Sequence, residues 1–227
     1  MAKTKVFLAG DSTVAYNDIS TYPQTGWGQV LQMYLKDNVQ VVNYAKNGRS
    51  SKSFIHEGLL DEIENEISEN DFLLIQFGHN DQKEEEHRRT EPFTTYQYYL
   101  SQYIDVAINH NAYPIFITPL YRRHFDDKGN IKDKVHLDFP DAMEALAKDF
   151  GVPIIDLCNK SKNLFELIGD AESRKLFMHL KKGTYKNYPE GKEDDTHLNY
   201  EGAITVAGLI VDGLKALGER YLELVKY

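Results

Sequence analysis

Short apolar runs alternate along this chain with longer stretches in which apolar positions recur every three or four residues. Runs without polar interruption mark strands buried on both faces, and the longer spacing marks helices that cover those faces. The pattern predicts strands near 4–9, 39–43, 71–77, 114–118 and 152–156. It predicts helices near 26–36, 57–68, 93–109, 136–149, 160–169 and 201–217. In the last of these, Ala203, Val206, Ala207, Ile210, Val211 and Leu214 form one apolar stripe. Asn199 is placed to cap it, and Glu201 suits the positive end of its dipole.

Strands separated by helices predict an α/β fold: a three-layer α/β/α sandwich around a five-stranded parallel sheet in flavodoxin-like order 2-1-3-4-5. No repeat, low-complexity tract or linker interrupts the pattern, so residues 1–227 read as a single domain. In such a sheet ligands bind beyond the carboxyl ends of the strands, beside strands 1 and 3, where the strand order reverses. Three polar motifs fall there. Gly10-Asp11-Ser12-Thr13 follows strand 1, Asn47-Gly48-Arg49-Ser50 follows strand 2, and Gly78-His79-Asn80-Asp81 follows strand 3. A fourth, Asp194-Asp195-Thr196-His197, precedes the last helix.

Composition narrows the setting without naming a chemistry. The chain is 41% hydrophobic and 27% charged, ordinary for a soluble globular protein. A formal net charge of -9 argues against a nucleic-acid partner, whose footprint is basic. No apolar run approaches the ~18 residues of a membrane span. The first strand pattern starts so soon after Met1 that no signal-peptide core fits before it, and the expected location is cytoplasmic. The sole cysteine, Cys158, excludes an intramolecular disulfide and reads as buried filler within an apolar run.

The motifs supply what acyl transfer needs. A serine hydroxyl is a weak nucleophile until a base takes its proton and donors await the developing oxyanion. Ser12 is the candidate nucleophile and His197 the candidate base. Asp194, three residues before His197, can turn back to fix the imidazole tautomer, whereas Asp195 is expected to point into solvent. The Ser12 and Gly48 backbone N–H groups and the Asn80 amide are the candidate oxyanion donors. Each motif alone reads as a turn or a helix cap; the four together read as a serine esterase.

These four motifs resemble the ordered blocks of the SGNH (GDSL-type) hydrolases, from about residue 5 to residue 205. Within that superfamily the chain is most similar to the rhamnogalacturonan acetylesterases. The supporting stretches are Gly26-Trp27-Gly28-Gln29, Gly48-Arg49-Ser50-Ser51-Lys52-Ser53 and Arg89-Thr90-Glu91-Pro92-Phe93-Thr94-Thr95-Tyr96. The resemblance implies a triad of Ser12, Asp194 and His197, an oxyanion hole of Ser12, Gly48 and Asn80, and no cofactor or metal. It also implies a small-molecule or oligosaccharide ester as substrate. Trp27, Arg49, His79 and Arg122 are the candidate substrate-binding residues. Arg88, Arg89, Arg122, Arg123 and His124 lie in loops expected on the same rim, where arginine suits a uronate carboxylate.

Three other readings compete. His79, Asp81, Asp194, Asp195 and His197 are ligand types for a dinuclear metal phosphoesterase, although the motif order is wrong for one. The chain may also be read as a non-catalytic carbohydrate-binding descendant, or as a general carboxylesterase, lipase or thioesterase with the same chemistry and another substrate.

Overall fold

In the computed structural model, which describes residues 3–226, five parallel strands form one sheet. They are β1 (Thr4–Gly10), β2 (Val39–Asn43), β3 (Phe72–Gln76), β4 (Tyr113–Ile117) and β5 (Ile154–Ile155). Their order is β2-β1-β3-β4-β5, as the strand–helix alternation predicts. Successive side chains of a strand point to opposite faces, so each apolar run feeds two cores. Val6, Leu8, Phe72, Leu74, Ile115 and Ile117 enter one. Phe7, Ala9, Leu73, Ile75 and Phe116 enter the other.

Among the described residues eight α-helices surround the sheet: α1 (Trp27–Val30), α2 (Ser51–His56), α3 (Leu59–Glu64), α4 (Gln97–Asn109), α5 (Phe139–Phe150), α6 (Leu157–Ser173), α7 (Tyr200–Ala216) and α8 (Glu219–Leu222). The first core is covered by α1, α6 and α7, the second by α2 through α5. All six residues of the expected α7 stripe are buried. Asn199 caps that helix by accepting from the Gly202 N–H at 3.0 Å. Cys158 packs in the first core, and burial pushes its thiol up to about 12, so it is filler. Among the described residues, no helix is long and apolar enough to cross a membrane.

Several boundaries differ from expectation for local reasons. The helix expected over 57–68 is the shorter α3, and it is preceded by a helix that the apolar spacing does not predict, α2, which starts at Ser51, where Ser50 and Ser53 bond reciprocally in a capping box. Gly58 then takes φ +78°, a left-handed conformation that ends one helix before α3 begins. The helix expected over 26–36 tightens after Val30 into a 3-10 turn, which seats Leu31 and Leu35 in the first core. α5 starts at Phe139 rather than 136, with Pro140 in its first turn; His136 stays outside, its Nε2 2.7 Å from the Leu120 carbonyl oxygen. β5 is shorter than expected because Pro153 has no N–H to give and Asp156 is taken as the cap of α6.

Candidate active site

Ser12 follows β1 in a tight turn closed by the Val14 and Ala15 N–H groups donating to the Asp11 carbonyl oxygen, at 3.1 and 3.0 Å. Gly48 and Asn80 lie in the loops beyond β2 and β3, and the segment before α7 folds over this edge from the far end of the chain. His197 Nε2 lies 3.0 Å from Ser12 Oγ, and His197 Nδ1 lies 2.8 Å from Asp194 Oδ2. This arrangement selects the tautomer with hydrogen on Nδ1 and leaves Nε2 free to accept the serine proton. The three-residue offset works because Asp194 Oδ1 also accepts from the Thr196 and His197 backbone N–H groups, both at 2.9 Å. Burial would raise the Asp194 carboxyl, but the His197 ring and these two N–H groups outweigh it and hold the carboxyl well below the usual carboxylate range. Lys192 Nζ adds a positive charge 3.0 Å from Oδ2.

On the other side of Ser12, Gly48 takes φ +82°, a backbone that favours glycine. The nearest atom to a side chain placed there would be Arg88 Nη1, at 4.0 Å. The Asn80 amide is held at both ends: Nδ2 donates to the Arg49 carbonyl oxygen at 2.9 Å, and Oδ1 accepts from Arg88 Nη1 at 3.4 Å. One Nδ2 hydrogen is left for an incoming group. Arg88 therefore orients this amide, a role that nothing in the residue order around position 88 reveals.

A buried polar chain runs beneath the serine turn. Trp27 Nε1 donates to Gln76 Oε1 at 2.8 Å, and Gln76 Nε2 donates to Thr13 Oγ1 at 2.6 Å. Thr13 donates from its N–H and its hydroxyl to Asp11 Oδ1, at 2.9 and 2.8 Å, and His79 Nδ1 meets Asp11 Oδ2 at 3.2 Å. Burial pushes the Asp11 carboxyl up, but these donors more than compensate and leave it below its usual value. Burial likewise pulls His79 down, against the attraction of Asp11. The pair is thus a neutral ring donating to a carboxylate. Asp81 makes the matching tie on the other side, accepting from the Gly78 N–H at 3.0 Å, from the Ser51 N–H and hydroxyl, and from the Thr90 hydroxyl at 3.1 Å. Two buried acids thereby pin the loop carrying Asn80 to the loops carrying Ser12 and Gly48.

This geometry turns two of the candidate substrate-binding residues, Trp27 and His79, inward, and gives the other two, Arg49 and Arg122, protein partners. Trp27 is 1% exposed and spent on Gln76, so its ring has no face for a sugar. His79 is buried against Asp11 and does not reach solvent as a ligand group. The Arg49 guanidinium is engaged by Glu57, at 2.7 and 2.9 Å, and by its own loop at the Asn47 carbonyl oxygen. Arg122 is half-buried at the rim, its Nη2 donating to the His79 carbonyl oxygen at 3.2 Å. Asp195 is corrected too: instead of pointing into solvent, its Oδ1 lies 2.9 Å from Arg123 Nε and 2.7 Å from His179 Nε2, clamping the triad segment to the loop after β4. The five residues of the metal reading do not converge, since His79 and Asp81 turn inward, Asp195 turns to Arg123, and Asp194 to His197. Among the described residues, no group of three such side chains is placed to hold a metal ion.

A three-layer α/β protein in which a serine, a histidine and an aspartate side chain meet at the carboxyl rim of the sheet is what this fold and geometry define. Residues 8–203 match the GDSL-like lipase/acylhydrolase family, and the chain belongs to it. It is 45% identical to the rhamnogalacturonan acetylesterase RhgT of Bacillus subtilis over 94% of this chain and 90% of that protein. It is 41% identical to the probable rhamnogalacturonan acetylesterase YesY of the same organism, over 94% of this chain and 93% of that one. The crystal structure of Bacillus subtilis YxiM superimposes with a TM-score of 0.81 at 27% identity, covering 95% of this chain and 57% of that longer one. A catalytic mutant of the acetylxylan esterase Axe2 of Geobacillus stearothermophilus shares the fold, with a TM-score of 0.65 at 14% identity over 94% of this chain and 96% of that one.

Proposed function

We propose that this chain is a serine acetylesterase that removes acetyl groups from acetylated pectic oligosaccharides, rhamnogalacturonan among them, through an acetyl–Ser12 intermediate. The observation that carries the mechanism is the contact of Ser12 Oγ with His197 Nε2 at 3.0 Å, backed by Asp194 at 2.8 Å. The substrate class is supported by relatives of that name at 45% and 41% identity over 94% of the chain.

His197 Nε2 takes the Ser12 proton as Oγ bonds to the acetyl carbon, and the carbonyl electrons move onto oxygen. That oxyanion is met by the Ser12 and Gly48 N–H groups and the remaining Asn80 Nδ2 hydrogen, a donor set in which one member is worth about 10²–10³ in turnover. The imidazolium, stabilised by the Asp194 carboxylate, gives its proton to the departing sugar oxygen as the ester C–O bond breaks. Water then attacks the acetyl–Ser12 ester with His197 again as base, and acetate leaves as Ser12 recovers its proton.

Acetate release across acetylated pectic, xylan and chitin oligosaccharides tests the reading. The expected result is the highest kcat/KM on acetylated rhamnogalacturonan fragments. Equal rates across the panel, or a preference for long-chain acyl esters, would move the chain to the general carboxylesterase reading.

A further inference from the structure

Among the arginines of the described residues, ion pairing leaves Arg122 over. Arg49 is paired with Glu57, Arg88 with Glu85, Arg89 with Glu91, Arg123 with Asp170 and Asp195, and Arg174 with Asp170. Arg220 lies over the Tyr113 ring, at the amino end of β4 and so away from the rim. Arg122 is half-buried, and among the described residues no carboxylate lies within ion-pair distance of it. Its partners are neutral. Nη2 donates to the His79 carbonyl oxygen at 3.2 Å, and Nε is buried with no partner. With its amide oxygen facing the guanidinium, Gln82 accepts from both Nη1 and Nη2 at 2.9 Å.

A guanidinium keeps its charge in a protein, and a half-buried charge without a counter-ion costs stability. Burial lowers the Arg122 pKa and the Asp11 carboxylate opposes that, without touching it. The location is specific: Arg122 holds the residue immediately before Asn80, and the His79 ring beside it is close enough to His197 to feel its charge. One neutral amide oxygen of Gln82 thus bridges the two Nη groups, the edge of the guanidinium through which a carboxylate could bind with both its oxygens.

We infer that Arg122 is the binding site for a uronate carboxylate of the substrate, on the acetylated sugar or its neighbour, and that this carboxylate displaces the Gln82 amide oxygen when it binds. The inference rests on the oligosaccharide reading above and names the group that the site selects for. Neutral sugars leave Gln82 in place and the charge uncompensated; acidic sugars complete the pair.

The test is the ratio of kcat/KM for an acetylated galacturonate-containing oligosaccharide with free carboxylates to that for the same oligosaccharide methyl-esterified. A general loss of activity cancels in this ratio. Wild type is expected to favour the free acid by about 10- to 100-fold, the range of a charge-assisted hydrogen bond. Arg122→Gln should bring the ratio close to one, and Arg122→Lys should keep part of it. Gln82→Glu supplies a built-in carboxylate and should abolish the preference without exposing an unpaired charge, so the test survives if Arg122→Gln fails to fold. A wild-type ratio near one, or a ratio unchanged in Arg122→Gln or in Gln82→Glu, overturns the proposal. If neither oligosaccharide is deacetylated while 4-nitrophenyl acetate is hydrolysed, the substrate reading fails by itself. Competition then decides on Arg122: unacetylated oligogalacturonate inhibiting 4-nitrophenyl acetate hydrolysis in wild type, but not in Gln82→Glu, supports the carboxylate site, and no inhibition in wild type overturns it.

Discussion

Asp194 meets His197 at 2.8 Å and Asp11 meets His79 at 3.2 Å, both through Nδ1. The first pair has side chains 15% and 29% exposed, the second 0% and 4%. The rings differ in what Nε2 faces: Ser12 Oγ for His197, and no hydrogen-bond partner for His79. One residue pairing therefore serves two purposes within a few residues of the same serine. At the open rim, in the mechanism proposed above, it prepares a base. In the sealed layer below it ties the serine turn to the loop that presents Asn80. Carboxylate–imidazole pairing by itself is not evidence of catalysis; access and the second ring nitrogen decide.

Breaking the two pairs separately should give opposite signatures. Asp194→Asn keeps an oxygen for the Thr196 and His197 N–H groups but spoils the tautomer, so kcat should fall by about 10⁴-fold, far more than the accompanying loss of its charge pairing with Lys192 would explain. The folded-state pKa of Asp194 lies below its usual value of 3.8, so the stability it contributes is present above that value and is lost only as the pH falls below it. Asp194 thus stays charged down to pH values below 3.8, so no loss of wild-type activity above that value should trace to its protonation; a loss of stability that sets in well above pH 3.8 and disappears in Asp194→Asn would contradict this.

His79→Leu is the smaller and contrasting case. It removes a donor from the buried Asp11 carboxylate and should destabilise the fold by about 1–3 kcal/mol in denaturant melts. Turnover should fall by well under the ~10²-fold that an ångström of misplacement costs, since Asn80 and Ser12 keep their other ties. A loss of turnover as large as that of Asp194→Asn would mean that the buried pair takes part in the reaction and that the two cannot be separated as drawn here.

What was legible in the sequence follows from range. The strands of the sheet could be read because each is mostly a short apolar run, with polar residues such as Gln76 confined to strand ends or to the half-covered edge strand β2, and the rim positions of Ser12, Gly48 and Asn80 follow from strand order alone. Asp194 could be assigned to His197 because the contact is made within one turn. The rest depends on partners far apart in sequence. Trp27, read as a sugar platform, donates instead to Gln76, and Asp195, read as solvated, is held by Arg123 and His179. Arg88 on Asn80, Asp81 on Ser51 and the missing counter-ion of Arg122 are set by how four loops meet, which no local spacing encodes. α2 is the exception: its Ser50–Ser53 capping box is a local signal, for a helix that the apolar spacing alone leaves out.

The central claim is that Ser12 carries the acetyl group between two half-reactions. The direct measurement is intact-protein and peptide mass spectrometry of enzyme acid-quenched during turnover of 4-nitrophenyl acetate. An acetyl group on the peptide containing Ser12, absent from Ser12→Ala, is the predicted result. Turnover that persists in Ser12→Ala, or an acetyl group that accumulates on another residue at the catalytic rate, would contradict it.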